Sequence, residues 1–180
     1  DLGSAVVIVA ASIALLFIGG AQLRYFLLLL LAAGGMLALL IWLEPYRMER
    51  LLAFIDPWAM PFDGGYQLVQ ALIAFGRGEL FGLGLGEGIQ KLYYLPEAHN
   101  DFIFAVIAEE LGAVGALTLL AVYSLFVIQI FSVARAQSDR GELFAGYCCY
   151  FIGLIFAFQL LINLGVNTGA LPTKGLTLPF

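Results

Sequence analysis

Lys91 to Gly112 reads KLYYLPEAHNDFIFAVIAEELG, and this stretch decides the fold. It begins polar and aromatic. It holds the one histidine of the chain, His99, a proline-marked turn at Pro96, and the carboxylates Glu97, Asp101, Glu109 and Glu110, with Glu87 just upstream. Directly after Asp101 the sequence turns apolar and, Glu109 and Glu110 apart, is dominated by apolar residues to Phe131. A run of that length is a candidate membrane helix. Carboxylates at the mouth of such a span are costly to place, so they raise a functional question.

The rest of the chain agrees with a membrane setting. It is 62% hydrophobic and 12% charged, with a mean hydropathy of +0.98, whereas soluble domains run nearer half apolar and a quarter charged. Long apolar runs spaced by short polar ones describe an integral membrane protein. No strand-period alternation suggests a barrel, so the spans are expected to be helical. A net charge of −5 says little about partners when most of the chain faces lipid. The absence of a basic run argues against a nucleic-acid role. Cys148 and Cys149, adjacent in an apolar run, read as packing residues rather than a disulfide or metal site, and leave the compartment undecided. No signal peptide is visible, the chain starts abruptly at Asp1 in what reads as a helix start and stops at Phe180 just as LTLPF turns apolar, so it is expected to be an internal fragment.

The chain divides into four expected spans, about 2–20, 25–43, 102–131 and 143–164, with a long polar-and-aromatic segment over 44–101. Gly34-Gly35 inside the second span reads as a site of close helix packing, with a kink as the lesser alternative. EPYRMERLLAFIDPW, from Glu44, mixes Arg47 and Arg50 with Trp58 and suits an interfacial segment. From Tyr66, apolar Val69, Leu72, Ile73 and Phe75 keep helical spacing against Gln67 and Gln70, predicting a short amphipathic helix at the membrane surface. GRGELFGLGLGEG then places glycines at 76, 78, 82, 84, 86 and 88. It matches neither dinucleotide nor phosphate-loop spacing and follows no strand, so it reads as backbone that approaches something closely. As one straight helix the third span would be about 45 Å long, beyond a hydrocarbon core of ~30 Å, so it either projects or breaks near Gly112 and Gly115.

LPEAHNDFIFAVIAEELG resembles the signature of the SEDS (shape, elongation, division, sporulation) membrane proteins, with wording closest to the division branch. DLGSAVV at Asp1, GYQLVQALIAFGRGELFGLGLGEG from Gly65 and LPTKGLTLPF at the C-terminus agree, in the expected order, so the resemblance covers the whole chain. It implies an all-α, polytopic integral membrane helical bundle, here a fragment of a larger SEDS fold, with a large extracytoplasmic loop. The implied activity is peptidoglycan glycosyl transfer, polymerising lipid II outside the bacterial cytoplasmic membrane, at the division septum for the division branch. The implied partners are lipid II, a class B penicillin-binding protein transpeptidase, other divisome membrane proteins and membrane lipid. No cofactor is fixed by the residues, and a divalent cation (Mg or Mn) is left open.

Asp101 is the first catalytic candidate. Taken alone it could merely sit at the first helical position after an Asn100 cap, favoured by the helix dipole. The resemblance matches it to the essential aspartate of the family's HxDFIF motif. The substrate-binding candidates are Lys174, His99, Glu97, Arg77 and Lys91. His99 could orient Asp101 or meet a phosphate, or be a polar loop residue. Glu97 follows Pro96 and could only fix the turn. Lys174, in LPTKG, is either a snorkelling interfacial lysine or a point charge for pyrophosphate, and its intact motif favours the second. Arg77 and Lys91 are weaker candidates for that charge. No metal-binding set is expected. Tyr93 and Tyr94 read as interfacial anchors. On a helix Glu109 lies about 80° round from Asp101 and Glu110 nearly opposite, so at most one shares its side.

The implied reaction is inverting transfer. Asp101 would take the proton of the acceptor 4-hydroxyl as it attacks the anomeric carbon, while positive charge offsets the leaving pyrophosphate. A lipid II flippase and a non-catalytic divisome scaffold are the competing classes. Arg24, Arg135 and Arg140 share one side of a four-span layout, and Arg47, Arg50, Arg77, Lys91 and Lys174 the other. Counting positive charge alone would put the long segment in the cytoplasm. The resemblance puts it and Lys174 outside, and is followed here.

Overall fold

The computed structural model describes residues 2–43, 54–59, 61–62, 65–96 and 100–172. The described residues form five α-helices and one π-helical turn. The helices are α1 (Leu2–Ile18), α2 (Leu23–Trp42), α3 (Tyr66–Gly78), α4 (Ile103–Asp139) and α5 (Leu143–Asn167), and the turn is Gln90–Tyr94. No strand occurs among them. Three helices are long and apolar enough to cross a membrane: α2, α4 and α5. α1 is equally apolar but, at 17 residues, shorter. α4 runs eight residues beyond the expected end at Phe131, because Ala134, Arg135, Ala136 and Gln137 are good helix formers and nothing stops the helix before Gly141.

The chain divides into two compact units, 1–43 with 122–159 and 44–121 with 160–180, so α4 and α5 each contribute to both. In the first unit α1 and α2 form a hairpin, with Phe17 and Phe26 rings 4.9 Å apart. α4 and α5 approach closely where a glycine of α5 leaves room. Gly146 lies against Ser138 and the Ala134 carbonyl, and Gly153 against Ile130 and Phe131. Removing a side chain lets helix backbones meet where lipid provides no hydrophobic drive for association. Gly34 and Gly35 behave otherwise. A Cβ at either would meet nothing within 4 Å, and Gly34 instead lines an apolar cavity of about 480 Å³ between α1 and α2. The close packing expected of this pair is not made with any described residue. α2 buries none of its residues, an arrangement suited to lipid as the solvent.

In the second unit α3 packs on the first part of α4 through small residues. Ala71, Ala74 and Gly78 lie at helical spacing on one face of α3, and all three are buried. Ala71 and Ala74 join Ala105, Phe102, Leu95 and Val166 in one apolar cluster. Phe104, Ala108 and Ala116 form a second, with Phe75 packed against both. Phe75 and Phe104 rings lie 5.8 Å apart. At Gly78 a Cβ would run into the Ala108 carbonyl, so this contact needs glycine.

α4 is not one continuous helix. At Gly112 the backbone takes φ 68° and ψ −169°, a region of the map that essentially only glycine occupies. Gly115, the other expected break, stays helical. A broken helix leaves carbonyls unpaired before the break and amides unpaired after it, and in a membrane protein these must find protein partners. The glycine-rich segment supplies them. Leu83 and Gly84 N–H donate to the Glu109 and Glu110 carbonyls at 3.0 Å each, while Ala113 and Val114 N–H donate to the Glu79 and Leu80 carbonyls at 2.9 and 3.1 Å. The backbones come so close that a Cβ on Gly82 would meet the Glu110 carbonyl and the Gly112 amide. The close approach expected of the glycine run is therefore made to the break in α4.

Candidate active site

Asp101 stands two residues before the first residue of α4, not at its first helical position. It is half-buried, next to Phe102, which is 2% exposed and anchors this corner in the apolar cluster. The carbonyl of Asp101 accepts two side-chain hydrogen bonds, from Asn163 Nδ2 at 3.1 Å and Asn167 Nδ2 at 2.9 Å. Asn167 Oδ1 in turn accepts from the Ala105 N–H at 3.2 Å. α5 thus holds the entry to α4 by two buried carboxamides one turn apart. The end of α5 is itself well defined. Gly169, at φ 72°, lets the Gly169 and Ala170 N–H groups donate to the Val166 and Gly165 carbonyls, a Schellman closure that stops the helix just after Asn167.

Arg77 and Lys91 are drawn to Glu109 and Glu110. Arg77 Nη1 lies 3.5 Å from Glu109 Oε1, and Lys91 Nζ lies 2.5 Å from Glu110 Oε1. The second oxygens are also used: Glu109 Oε2 accepts from the Gln90 N–H at 3.2 Å and Glu110 Oε2 from the Gly86 N–H at 3.1 Å. Gly88 sits against both carboxylates, where a Cβ would press on Glu109 Oε2. The two cations expected from sequence to meet a pyrophosphate therefore each have a carboxylate partner in this unit. Together they tie both flanks of the glycine-rich segment to the last turn before Gly112.

Three other sequence candidates, Glu97, His99 and Lys174, lie outside the described residues. Among the described residues no group of three or more His, Cys, Asp or Glu side chains could hold a metal ion.

Sequence reasoning missed that Asn163 and Asn167 hold the backbone of Asp101. The available signal was NLGVN itself, two carboxamides four residues apart, and so on one face of an otherwise apolar helix. It also missed the pairing of Arg77 with Glu109 and Lys91 with Glu110, which no spacing rule connects across a loop.

Apolar helices long enough to span a membrane, a helix broken at glycine and an aspartate whose backbone is held at a helix mouth define a polytopic membrane protein of the helical-bundle class. Residues 1–180 match the FtsW/RodA/SpoVE family, described as "Cell cycle protein", and the chain belongs to this family. It is 54% identical over 179 residues to a "Probable peptidoglycan glycosyltransferase FtsW" of Nitrosococcus halophilus, covering 99% of this chain and 46% of that protein. A protein of the same description from Coxiella burnetii is 52% identical over 180 residues, covering 100% of this chain and 48% of that one. Among solved structures, a chain from work on structural coordination of polymerization and crosslinking by a peptidoglycan synthase complex superposes with a TM-score of 0.70 at 32% identity, covering 99% of this chain and 48% of that one. The chain thus spans about half the length of the relatives it matches.

Proposed function

We propose that this chain carries the catalytic aspartate of a peptidoglycan glycosyltransferase that polymerises lipid II during cell division. The observation that carries the proposal is the placement of Asp101. It sits just outside the first turn of a membrane helix, its backbone held by Asn163 and Asn167, in a chain 54% identical to a protein named for this activity. A base in such a place can meet both a lipid-anchored substrate and water.

In the proposed step the Asp101 carboxylate takes the proton from the 4-hydroxyl of the acceptor GlcNAc. That oxygen attacks the anomeric carbon of the donor chain. The bond from the anomeric carbon to the phosphate oxygen breaks, and lipid pyrophosphate leaves with the electron pair. One displacement inverts the centre, turning an α-linked donor into a β-linkage. Lys174 offsets the leaving charge, either alone or with a divalent cation, and His99 and Glu97 serve as further substrate-binding residues. Arg77 and Lys91 serve the site by tying the glycine-rich segment to α4. The proposed setting is the bacterial cytoplasmic membrane at the septum. The proposed partner is a class B penicillin-binding protein, in keeping with a structural neighbour from a peptidoglycan synthase complex.

The test is polymerisation of lipid II by the reconstituted full-length protein. A general base contributes about 10²- to 10⁴-fold, so Asp101→Ala should reach the membrane, fold, and lose glycan synthesis by that factor. Lipid II movement across vesicles without polymer would favour a flippase. Near-normal polymerisation by folded Asp101→Ala would remove Asp101 from the chemistry.

A further inference from the structure

Asn167 is the last residue of α5, and its carboxamide lies between the carbonyl of Asp101, just before α4, and the N–H of Ala105 in the first turn of α4. Its Oδ1 accepts from the Ala105 N–H at 3.2 Å and its Nδ2 donates to the Asp101 carbonyl at 2.9 Å. In a helix that continued back through Asp101, those two groups would bond each other directly, residue i to i+4. Here the Ala105 N–H turns to the Phe102 carbonyl at 3.0 Å, a tighter closure of the 3₁₀ kind. The side chain of Asn167 bridges the gap. Insertion of a side chain into the helical ladder redirects the backbone at that point.

Asn163 completes the arrangement. It donates a second bond to the same Asp101 carbonyl at 3.1 Å. Its own carbonyl and its Oδ1 receive Asn167 Nδ2 at 2.9 and 3.2 Å. The two asparagines are 1% and 0% exposed. Burying two carboxamides among apolar side chains is unfavourable unless their polar atoms are matched, and here they are matched largely to the backbone that carries Asp101. Leucines would fill apolar space at lower desolvation cost. What the carboxamides add is a definite backbone position for residue 101.

We propose that Asn163 and Asn167 are positioning residues for Asp101. They hold its backbone out of the helix, so that its carboxylate is presented to the acceptor hydroxyl and not drawn into the first turn of α4. This rests on the assignment of Asp101 as the base.

The experiment is a double-mutant cycle on the reconstituted full-length protein, with lipid II as substrate. Asn167→Ala should lower turnover on the order of 100-fold, the scale of a misplacement of about 1 Å at a reacting group, with little change in the apparent KM for lipid II. Asn163→Ala leaves the Asn167 bridge in place and should lower turnover about tenfold, as only one of two bonds to the carbonyl is lost. In an Asp101→Asn background both substitutions should change the residual rate by less than about threefold, because the group they position is already gone. A purely structural role predicts the same fold-loss in both backgrounds, and that result would overturn the proposal. So would wild-type turnover in an Asn163→Ala protein with a wild-type melting temperature. If Asn167→Ala does not fold, the Asn163→Ala arm of the cycle decides. Failure of the base assignment is seen separately: Asp101→Asn alone would then keep full turnover, whatever the asparagine variants do, and the positioning proposal would fall with it.

Discussion

Arg77 Nη1 approaches Glu109 Oε1 to 3.5 Å, and the Glu109 side chain has no exposed surface. One residue on, Lys91 makes the corresponding pair with the 12%-exposed Glu110. Arg77 stands at the start of the glycine-rich segment and Lys91 follows it, so the two ion pairs clamp that segment by both ends onto the turn of α4 that ends at Gly112. The Arg77 pair is the more sensitive, because Glu109 is fully buried even though Arg77 is 36% exposed, and removing the arginine strands a carboxylate that water does not reach.

Arg77→Ala should therefore destabilise the protein by about 1–2 kcal/mol, less than for a fully buried pair because Arg77 is partly exposed, and adding Glu109→Gln should restore much of that loss. Lys91→Ala should cost about 1 kcal/mol or less, since its pair is partly solvated. Thermal denaturation in detergent measures all of these. An Arg77→Ala protein melting with the wild type would show that Glu109 does not depend on this partner.

The close backbone crossing at the break makes a second prediction. Gly82→Ala puts a methyl group onto the Glu110 carbonyl, and Gly112→Ala adds a Cβ in a conformation other residues avoid, facing Leu80 and the Gly82 amide. Strain of that kind costs on the order of 1–3 kcal/mol before any clash is relieved. Gly86→Ala, which has a positive φ but nothing within 4 Å, should show the strain alone and lose less. Equal melting temperatures for Gly82→Ala and Gly86→Ala would argue against the crossing.

Lys174 separates charge stabilisation from proton transfer. As a point charge for pyrophosphate it has no planar fork to lose, so Lys174→Arg should fall partially, about tenfold. Lys174→Ala should fall further, on the order of 100-fold. Neither should shift the pH profile of polymerisation, which in the proposed mechanism is set by the base, Asp101. Loss should appear in turnover as well as in apparent donor affinity. Wild-type polymerisation by Lys174→Ala at limiting lipid II would leave interfacial snorkelling as its role.

The proposed orientation can be tested with an impermeant thiol reagent in a background lacking Cys148 and Cys149. Leu85, 77% exposed in the glycine-rich segment, should label as Leu85→Cys in intact cells. Arg140→Cys, in the exposed turn between α4 and α5, should label only after permeabilisation. The reverse pattern would return the long segment to the cytoplasm, where a plain count of positive charges puts it.

The all-helical membrane class, the three helices long and apolar enough to cross a membrane and the helix from Tyr66 were legible in the sequence because each depends on local composition and period: an apolar run of sufficient length has few alternatives in lipid. Asp101 and Lys174 stood out through their motifs, and Gly112 as one of two places where an overlong span could break. Only the tertiary structure chose Gly112 over Gly115, because the choice depends on which position receives Leu83, Gly84 and the carbonyls of Glu79 and Leu80 across the chain. The same holds for the charges. Arg77 and Lys91 carry free-looking positive charge in the sequence, and their partners lie 32 and 19 residues away. Asn163 and Asn167 are more than 60 residues from Asp101, yet they meet its carbonyl. Periodicity reports which face of a helix is apolar; it does not report which distant backbone group a buried carboxamide will satisfy, and that pairing is settled only when α5 packs beside the start of α4.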